Sequence, residues 1–567
     1  MNKREKLKKI AIGVEDFKEI IDKDGYFVDK TLMIKELIES QAKVTLFTRP
    51  RRFGKTLNQF MIRRFFEDEI TEEGEEVDNG YLFDGLAITE CGEEILSHQQ
   101  QYPVIFLTLK SAKQPTYEMA YACLVDEICK EFERHSYVLQ GEMSQRNREI
   151  FERISLGKGS DDEYATAFAF LSECLFKYHK KKAIILIDEY DVPLENAYFR
   201  GFYDEMIDFI RSLFESALKT NPYLERSVIT GCLRISKESI FTGLNNLETD
   251  SVLHTRFGDS FGFTQEEVEG LLAYYDLSEQ LEEVKKWYDG YLFNDFEIYN
   301  PWSILKYVND RKDHVTEFAL PYWSNTSSNS IVREMVGEAD EMAKADLETL
   351  MAGGTIEKQV HEDITYGDIH QTQDNLWNFL FFTGYLKKVG ERTVGNNLWL
   401  EMKIPNIEIA TIYENSISYW FEQKIKEPDR SPLVRALETG DCEAAEDFIN
   451  RQLADTISYY DYAETFYHGF MAGLLVNIGG YRVKSNRESG NGRPDIVMTE
   501  SKFRGRAMIL ELKISDTIQG MEKKCEEALT QMKEQKYESS LEDDGYQPIL
   551  KYAICFFKKG CMVKKAE

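Results

Sequence analysis

Two groups of residues have the types and spacing of catalytic machinery. The first lies in Lys43–Leu57, KVTLFTRPRRFGKTL. A short β-prone run, Val44 to Thr48, leads into a basic turn, and Gly54-Lys55-Thr56 then opens a segment of helical character. Strand, loop, Gly-Lys-Thr and helix is the layout of a phosphate-binding loop. Main-chain N–H groups and the helix N-terminus cradle the anion, Lys55 reaches the β- and γ-phosphates, and the Thr56 hydroxyl ligates Mg²⁺. The expected nucleotide-binding stretch is Arg49, Pro50, Arg51, Arg52, Phe53, Gly54, Lys55 and Thr56. The pattern asks for glycine where Arg49 stands. Arginine does not enter positive φ as glycine does, so the turn must be shaped by Pro50, Arg51 and Arg52. The bland alternative is an exposed basic loop that happens to end in Gly-Lys-Thr.

A second half-site weighs against that alternative. KKAIILIDEYD holds a continuous apolar run, Ala183 to Ile187, closed by Asp188 and Glu189. Such a run fits a strand of a parallel sheet covered on both faces. An acid at its C-terminal end stands where open α/β sheets bind ligands. Asp188 would hold the Mg²⁺ shell and Glu189 would polarise an attacking water.

The second chemical group is near the C-terminus, in GRPDIVMTE and AMILELKIS. Asp495 starts one strand. Glu511 and Lys513 lie two apart on the next and share a face, with a hairpin between, through Ser501 to Gly505. Two carboxylates can bind one or two Mg²⁺ ions that stabilise charge on a scissile phosphate and acidify a water. A lysine can orient that water. Upstream, YAETFYHGFMAGLL reads as a helix with Glu464 and His468 at i and i+4, both candidate metal ligands. For His468, a packing or hydrogen-bonded histidine is the competing reading. Downstream, CEEALTQMKEQKY reads as a helix carrying Gln531, with Tyr537 beyond it.

With YFVDKT and GCLRISKESIFTGLNNL, these motifs resemble the AAA-ATPase-like family, whose members often carry a C-terminal nuclease domain of the PD-(D/E)XK superfamily. Arg49 in place of the first glycine looks normal for that family. The resemblance covers most of the chain and is weakest in the middle third. It implies ATP and Mg²⁺ as cofactors. It implies a polar γ-phosphate sensor on the strand after the Asp-Glu strand, for which Thr230 is the positional candidate, with Arg234 and Asn245 just beyond. It also implies that Asp495, Glu511, Lys513 and Gln531 are the nuclease residues. A role in defence against foreign DNA or in mobile-element biology follows from the resemblance alone. So does room for a homo-oligomer in which a neighbour's arginine reaches the γ-phosphate. No arginine is singled out for that by the sequence.

The elements that must position these residues follow from the chain. At 567 residues it is too long for one core. The expected fold is α/β. A P-loop ATPase with a parallel sheet fills 1–262, and a helical, winged-helix-like region fills 263–430. An α/β restriction-endonuclease-like domain fills 431–567, after the polar linker KIKEPDRSP. Thr264 and Glu267 form a capping box at the start of the middle region. Asp29 and Lys30 are read as structural or adenine-side.

A formal net charge of −30 excludes a general nucleic-acid coat but not a local groove or DNA approached through metal. Nine scattered cysteines without a Cys-x-x-Cys pair suggest neither a zinc site nor a disulfide framework. With no signal core and no membrane-length apolar run, a cytoplasmic protein with no membrane partner is expected. The leading functional reading is an ATPase governing a Mg²⁺-dependent nuclease that acts on DNA. The alternative is an NTP-driven switch whose nuclease-like domain only binds nucleic acid or protein. A helicase motif set is not found.

Overall fold

The computed structural model describes the chain except residues 1–6, 235–239, 242–245, 317, 324–331, 333–336, 338–339, 363–372, 427–428, 455–463, 476–479, 486–493, 503 and 567, and the side chains of 341, 373, 418, 420–426, 454, 464–466 and 485. It falls into two compact units, Met1–Ser327 with Thr355–Thr411, and Ser328–Gly354 with Ile412–Glu567.

The first unit is built on a parallel sheet of five strands. In chain order these are β1 (Val44–Thr48), β2 (Val104–Thr108), β3 (Ala183–Asp188), β4 (Leu224–Gly231) and β5 (Leu247–Asp250). Their spatial order is β2-β3-β4-β1-β5, all parallel. Every residue of β1 and of β3 is buried, as continuous apolar strands sandwiched between helices must be. Helix α1 (Lys55–Phe66) follows β1, and α2 (Val192–Arg200) follows β3. Strand β4 lies between β1 and β3. Its register pairs Thr230 with Phe47 on one side and Ile229 with Ile187 on the other, so Thr230 ends level with Asp188. The topology thus brings the loop after β1 and the acids after β3 to one edge of the sheet.

Beyond the sheet, β6 (Phe263–Thr264), β7 (Tyr291–Phe293) and β8 (Phe296–Tyr299) form a small antiparallel sheet with helices α3 (Gln265–Tyr274) and α4 (Pro301–Lys312). The Thr264–Glu267 capping box is formed. The aromatic stretch here is core: Tyr288, Tyr291, Phe293 and Tyr299 are all buried. A second antiparallel sheet, β9 (Ile356–Val360), β10 (Lys387–Val394) and β11 (Asn397–Lys403), runs in the order β9-β11-β10 and packs helix α5 (Gln373–Phe382) on β9.

The second unit holds α6 (Ser431–Thr439), α7 (Cys442–Ala454), α8 (Glu464–Leu475), β12 (Tyr481–Ser485), β13 (Ile496–Glu500), β14 (Ala507–Ile514), α9 (Met521–Glu534), β15 (Ile549–Phe557) and β16 (Gly560–Lys565). The strands form a mixed sheet in sequence order, antiparallel except for the parallel β14–β15 pair. Alternation along β14 divides its apolar residues between two cores. Met508, Leu510 and Leu512 face α6, α7 and α8, whereas Ala507 and Ile509 face α9. Among the described residues, no helix is long and apolar enough to cross a membrane.

Candidate active sites

The loop between β1 and α1 is held by its own side chains. Gly54 has φ 84° and open space where a Cβ would stand. Arg52 has φ 70°, a left-handed conformation that costs a non-glycine residue roughly 1–2 kcal/mol. Three neighbours anchor the turn. The Arg49 guanidinium is fully buried and pairs with Asp250 at 2.5 Å. It also donates to the Asp250 and Thr48 carbonyls at 2.9 and 3.1 Å. It stacks over Phe261 and Phe293, 5.0 and 5.4 Å from the ring centres. Phe53 is buried edge-on against Tyr291 at 4.9 Å. Pro50 packs so closely on Gly384 that a Cβ there would come within 3.0 Å of its ring.

Arg49 and Phe53 therefore turn inward and shape the loop. The Arg52 guanidinium lies 5.1 Å above Trp302, and burial lowers its pKa to about 10. Near it, buried Glu408 accepts from the Ser303 hydroxyl at 2.8 Å and from the Trp323 N–H at 2.8 Å. Burial pushes Glu408 up to about 7, with those donors and Arg52 opposing the rise. Arg51 pairs with Glu195 on α2.

Lys55 Nζ donates to the Arg49 and Pro50 carbonyls, both at 3.0 Å, so the loop wraps its own lysine. The Thr56 hydroxyl donates to Asp188 Oδ2 at 2.8 Å, and the Thr230 hydroxyl donates to Asp188 Oδ1 at 2.6 Å. Burial raises Asp188 to about 6, and the charge of Glu189 adds to the rise. Glu189 itself has φ 53°, a strained conformation of the kind that collects at functional sites. Its N–H points to the Thr230 hydroxyl at 3.4 Å.

Arg234 NH1 lies 4.0 Å from a Glu362 carboxylate oxygen, and Asn245 falls outside the described residues. Sequence reasoning missed Asp191. It is buried, accepts the Cys232 and Leu233 N–H groups at 2.7 and 3.1 Å, and is raised to about 6 by burial, against the pull of Lys55. The third acid of Ile-Asp-Glu-Tyr-Asp was the available signal.

An apolar pocket adjoins Gly54 and Leu57, walled by Tyr26, Val28, Phe263 and Leu305, with Asn58 as a polar group. Lys30 also lines it, but its ammonium is held by Glu267 and the Asp259 carbonyl, both at 2.6 Å. Asp29 is committed to Thr31 and to the Ala87 N–H. An apolar wall with a few polar groups suits a flat heterocycle.

In the second unit, β13 pairs with β14 as Ile496 with Leu510, and Asp495, the residue just before β13, comes close enough to Glu511 for their charges to interact. Asp495 Oδ2 accepts the Leu512 N–H at 2.8 Å. Glu511 Oε1 accepts from Lys513 Nζ at 3.1 Å and from Gln531 Nε2 at 2.8 Å, and Gln531 also donates to the Tyr537 hydroxyl at 3.0 Å. Burial raises Glu511 to about 6, with the Asp495 charge adding and Lys513 opposing. Its Oε2 is buried and accepts no hydrogen bond from the described residues. All four residues thus meet on the α9 face.

His468 Nε2 lies 3.2 Å from the main-chain oxygen of Asp495. The Glu464 side chain lies outside the described residues. Among the described residues, no three His, Cys, Asp or Glu side chains gather as for a metal ion.

Comparison with known proteins places these centres in two matched regions. Residues 11–241 match the model of a predicted AAA-ATPase family, AAA-ATPase-like, and residues 462–566 match that of the PD-(D/E)XK nuclease superfamily. A relative from Azotobacter chroococcum mcd 1, described as an uncharacterized protein in the vnfD 5' region, is 24% identical over 557 residues. The match covers 94% of this chain and 93% of that one.

Proposed function

We propose that this chain, an AAA-ATPase-like region joined to a PD-(D/E)XK region, hydrolyses ATP at the Lys55 site and cuts DNA at the Asp495–Glu511 site, with the first activity governing the second. The observation that carries the nucleotide half is the convergence of the Thr56 and Thr230 hydroxyls on Asp188 beside a glycine-opened loop, with the Glu189 N–H on the same Thr230 hydroxyl. ATP fits the residues present. The loop N–H groups and Lys55 take the phosphates, and the pocket beside Gly54 takes the base. In hydrolysis a water oxygen bonds to the γ-phosphorus and the bond to the bridging oxygen breaks, its electron pair leaving with ADP. Glu189 accepts the proton of that water. Thr230 holds Asp188 and the Glu189 main chain in register.

Mg²⁺ fits both centres. Thr56 and Asp188 would hold it in the first. In the second it would bind Asp495 and Glu511, where the buried Oε2 of Glu511, without a hydrogen bond from the described residues, and the mutual repulsion of two acids favour a cation. When bound there, the metal supplies Lewis acidity toward the scissile phosphate and its attacking water. Lys513 orients that water or neutralises the developing charge. Gln531 fixes the Glu511 carboxylate, leaving its other oxygen for the ion. Incubating the protein with plasmid and oligonucleotide DNA, with and without ATP and Mg²⁺, tests the reading. Mg²⁺-dependent cutting that changes with ATP supports it. Absence of cutting under every nucleotide condition favours a non-catalytic switch.

A further inference from the structure

We propose that Arg51 is a catalytic residue of nucleotide hydrolysis, supplied by the phosphate loop of the same chain, and that Glu195 holds it in reserve. This rests on the nucleotide reading above. The three arginines of the loop have different surroundings. Arg49 is buried on Asp250, and Arg52 lies over Trp302. Arg51 reaches across to α2, the helix that begins just beyond Asp188 and Glu189, and pairs with Glu195. The pair is partly open, with side chains 30% and 17% exposed, so solvent and a solute can reach the guanidinium.

Its position also fits. The Cys232 thiol, 3.6 Å from Lys55 Nζ, lies within range of the charges of Lys55, Asp191, Arg51 and Glu189. Lys55 Nζ also donates to the Pro50 carbonyl, one residue before Arg51, at 3.0 Å, so the loop lysine and the loop arginine leave the same turn. A γ-phosphate reached by Lys55 would lie against the turn that carries Arg51 and beside the helix that carries Glu195. As the bond to the bridging oxygen breaks, charge spreads over the γ-phosphoryl and bridging oxygens. Two parallel N–H donors of a guanidinium match such oxygens. Leaving Glu195 for the phosphate exchanges one anion for another, and the carboxylate becomes the resting place of the arginine between turnovers. With a cation of its own, the site needs no neighbour's arginine.

Phosphate release from ATP by the full-length protein tests this. Arg51→Ala should lower kcat on the order of 10³-fold, while ATP affinity, read with a fluorescent analogue, changes far less. Arg51→Lys keeps the charge and should also lose most turnover, since an ammonium cannot bridge two oxygens in parallel. If Arg51→Ala no longer binds ATP, Arg51 serves binding and not hydrolysis, and the proposal is overturned. Glu195→Gln should raise kcat, and a fall would contradict the holding role. Mixing Arg51→Ala with Lys55→Ala should restore nothing. Recovery would mean that Arg51 acts on a neighbour and would overturn the proposal, as would wild-type turnover in Arg51→Ala. Wild-type turnover in Lys55→Ala is a separate outcome. It would remove the nucleotide reading itself, and this proposal with it.

Discussion

The Thr56 hydroxyl donates to Asp188 Oδ2 at 2.8 Å, joining the first turn of the loop helix to the end of a strand that is not its neighbour in the sheet. Strand β4 stands between them and contributes Thr230 to the other oxygen of the same carboxylate. One buried acid, raised to about 6, therefore gathers three elements.

Lys55→Ala should abolish ATP hydrolysis and weaken ATP binding, because the β- and γ-phosphates lose their cation. Glu189→Gln should bind ATP and turn it over slowly, because only the proton acceptor is lost. Nucleotide titration and phosphate release on both variants check this. Wild-type turnover in Lys55→Ala would move the site elsewhere.

Much of this was legible in the sequence because local chemistry and tertiary position coincide. Ala183–Ile187 could only be a doubly covered strand, and its terminal acids then had to meet the loop. The spacing of Glu511 and Lys513 put both on one face, and Asp495 joins them from just before β13, its carboxylate accepting the Leu512 N–H. What the sequence did not reveal depends on partners far along the chain. Arg49 stands where the loop pattern has glycine, and its reason is Asp250 and two phenylalanine rings, all distant in sequence. Asp191 is set by the Cys232 and Leu233 N–H groups, about forty residues further along the chain, which point at it.

Glu408 makes stability pH-dependent. Its folded pKa, about 7, lies above the ordinary 4.5, so the folded state binds the extra proton between those values. Stability from this group is therefore highest at low pH and falls as pH rises through that window, by up to about 3 kcal/mol. Urea unfolding from about pH 5 to about pH 8 should show a smaller loss for Glu408→Gln than for the wild type. An equal loss would mean that other carboxylates carry the dependence.

Gln531→Leu removes the amide that holds Glu511 Oε1 and touches Tyr537. DNA cutting should fall by roughly 10- to 100-fold, the usual loss when a group that orients a metal ligand is removed. The Mg²⁺ concentration needed for half-maximal cutting should rise. A lower rate with no change in Mg²⁺ demand would place Gln531 on the nucleic acid instead.

The cores on both faces of the second sheet are drawn from Leu433 to Val563. A fragment from Ser431 to the end should therefore be soluble and unfold cooperatively, as judged by circular dichroism and limited proteolysis. A protease-labile fragment would mean that Ser328–Gly354 or residues 412–430, which belong to the same compact unit, are needed to complete it.

The most direct test measures DNA cutting and ATP turnover on the same preparations of wild type, Lys55→Ala and Glu511→Ala, with Mg²⁺ present. Glu511→Ala should lose cutting and keep ATP turnover near wild type, because its acid belongs to a separate compact unit. Lys55→Ala should lose turnover and change cutting only through the lost control. DNA cut by Glu511→Ala at the wild-type rate, or no DNA cut by the wild type under any nucleotide condition, would contradict the account.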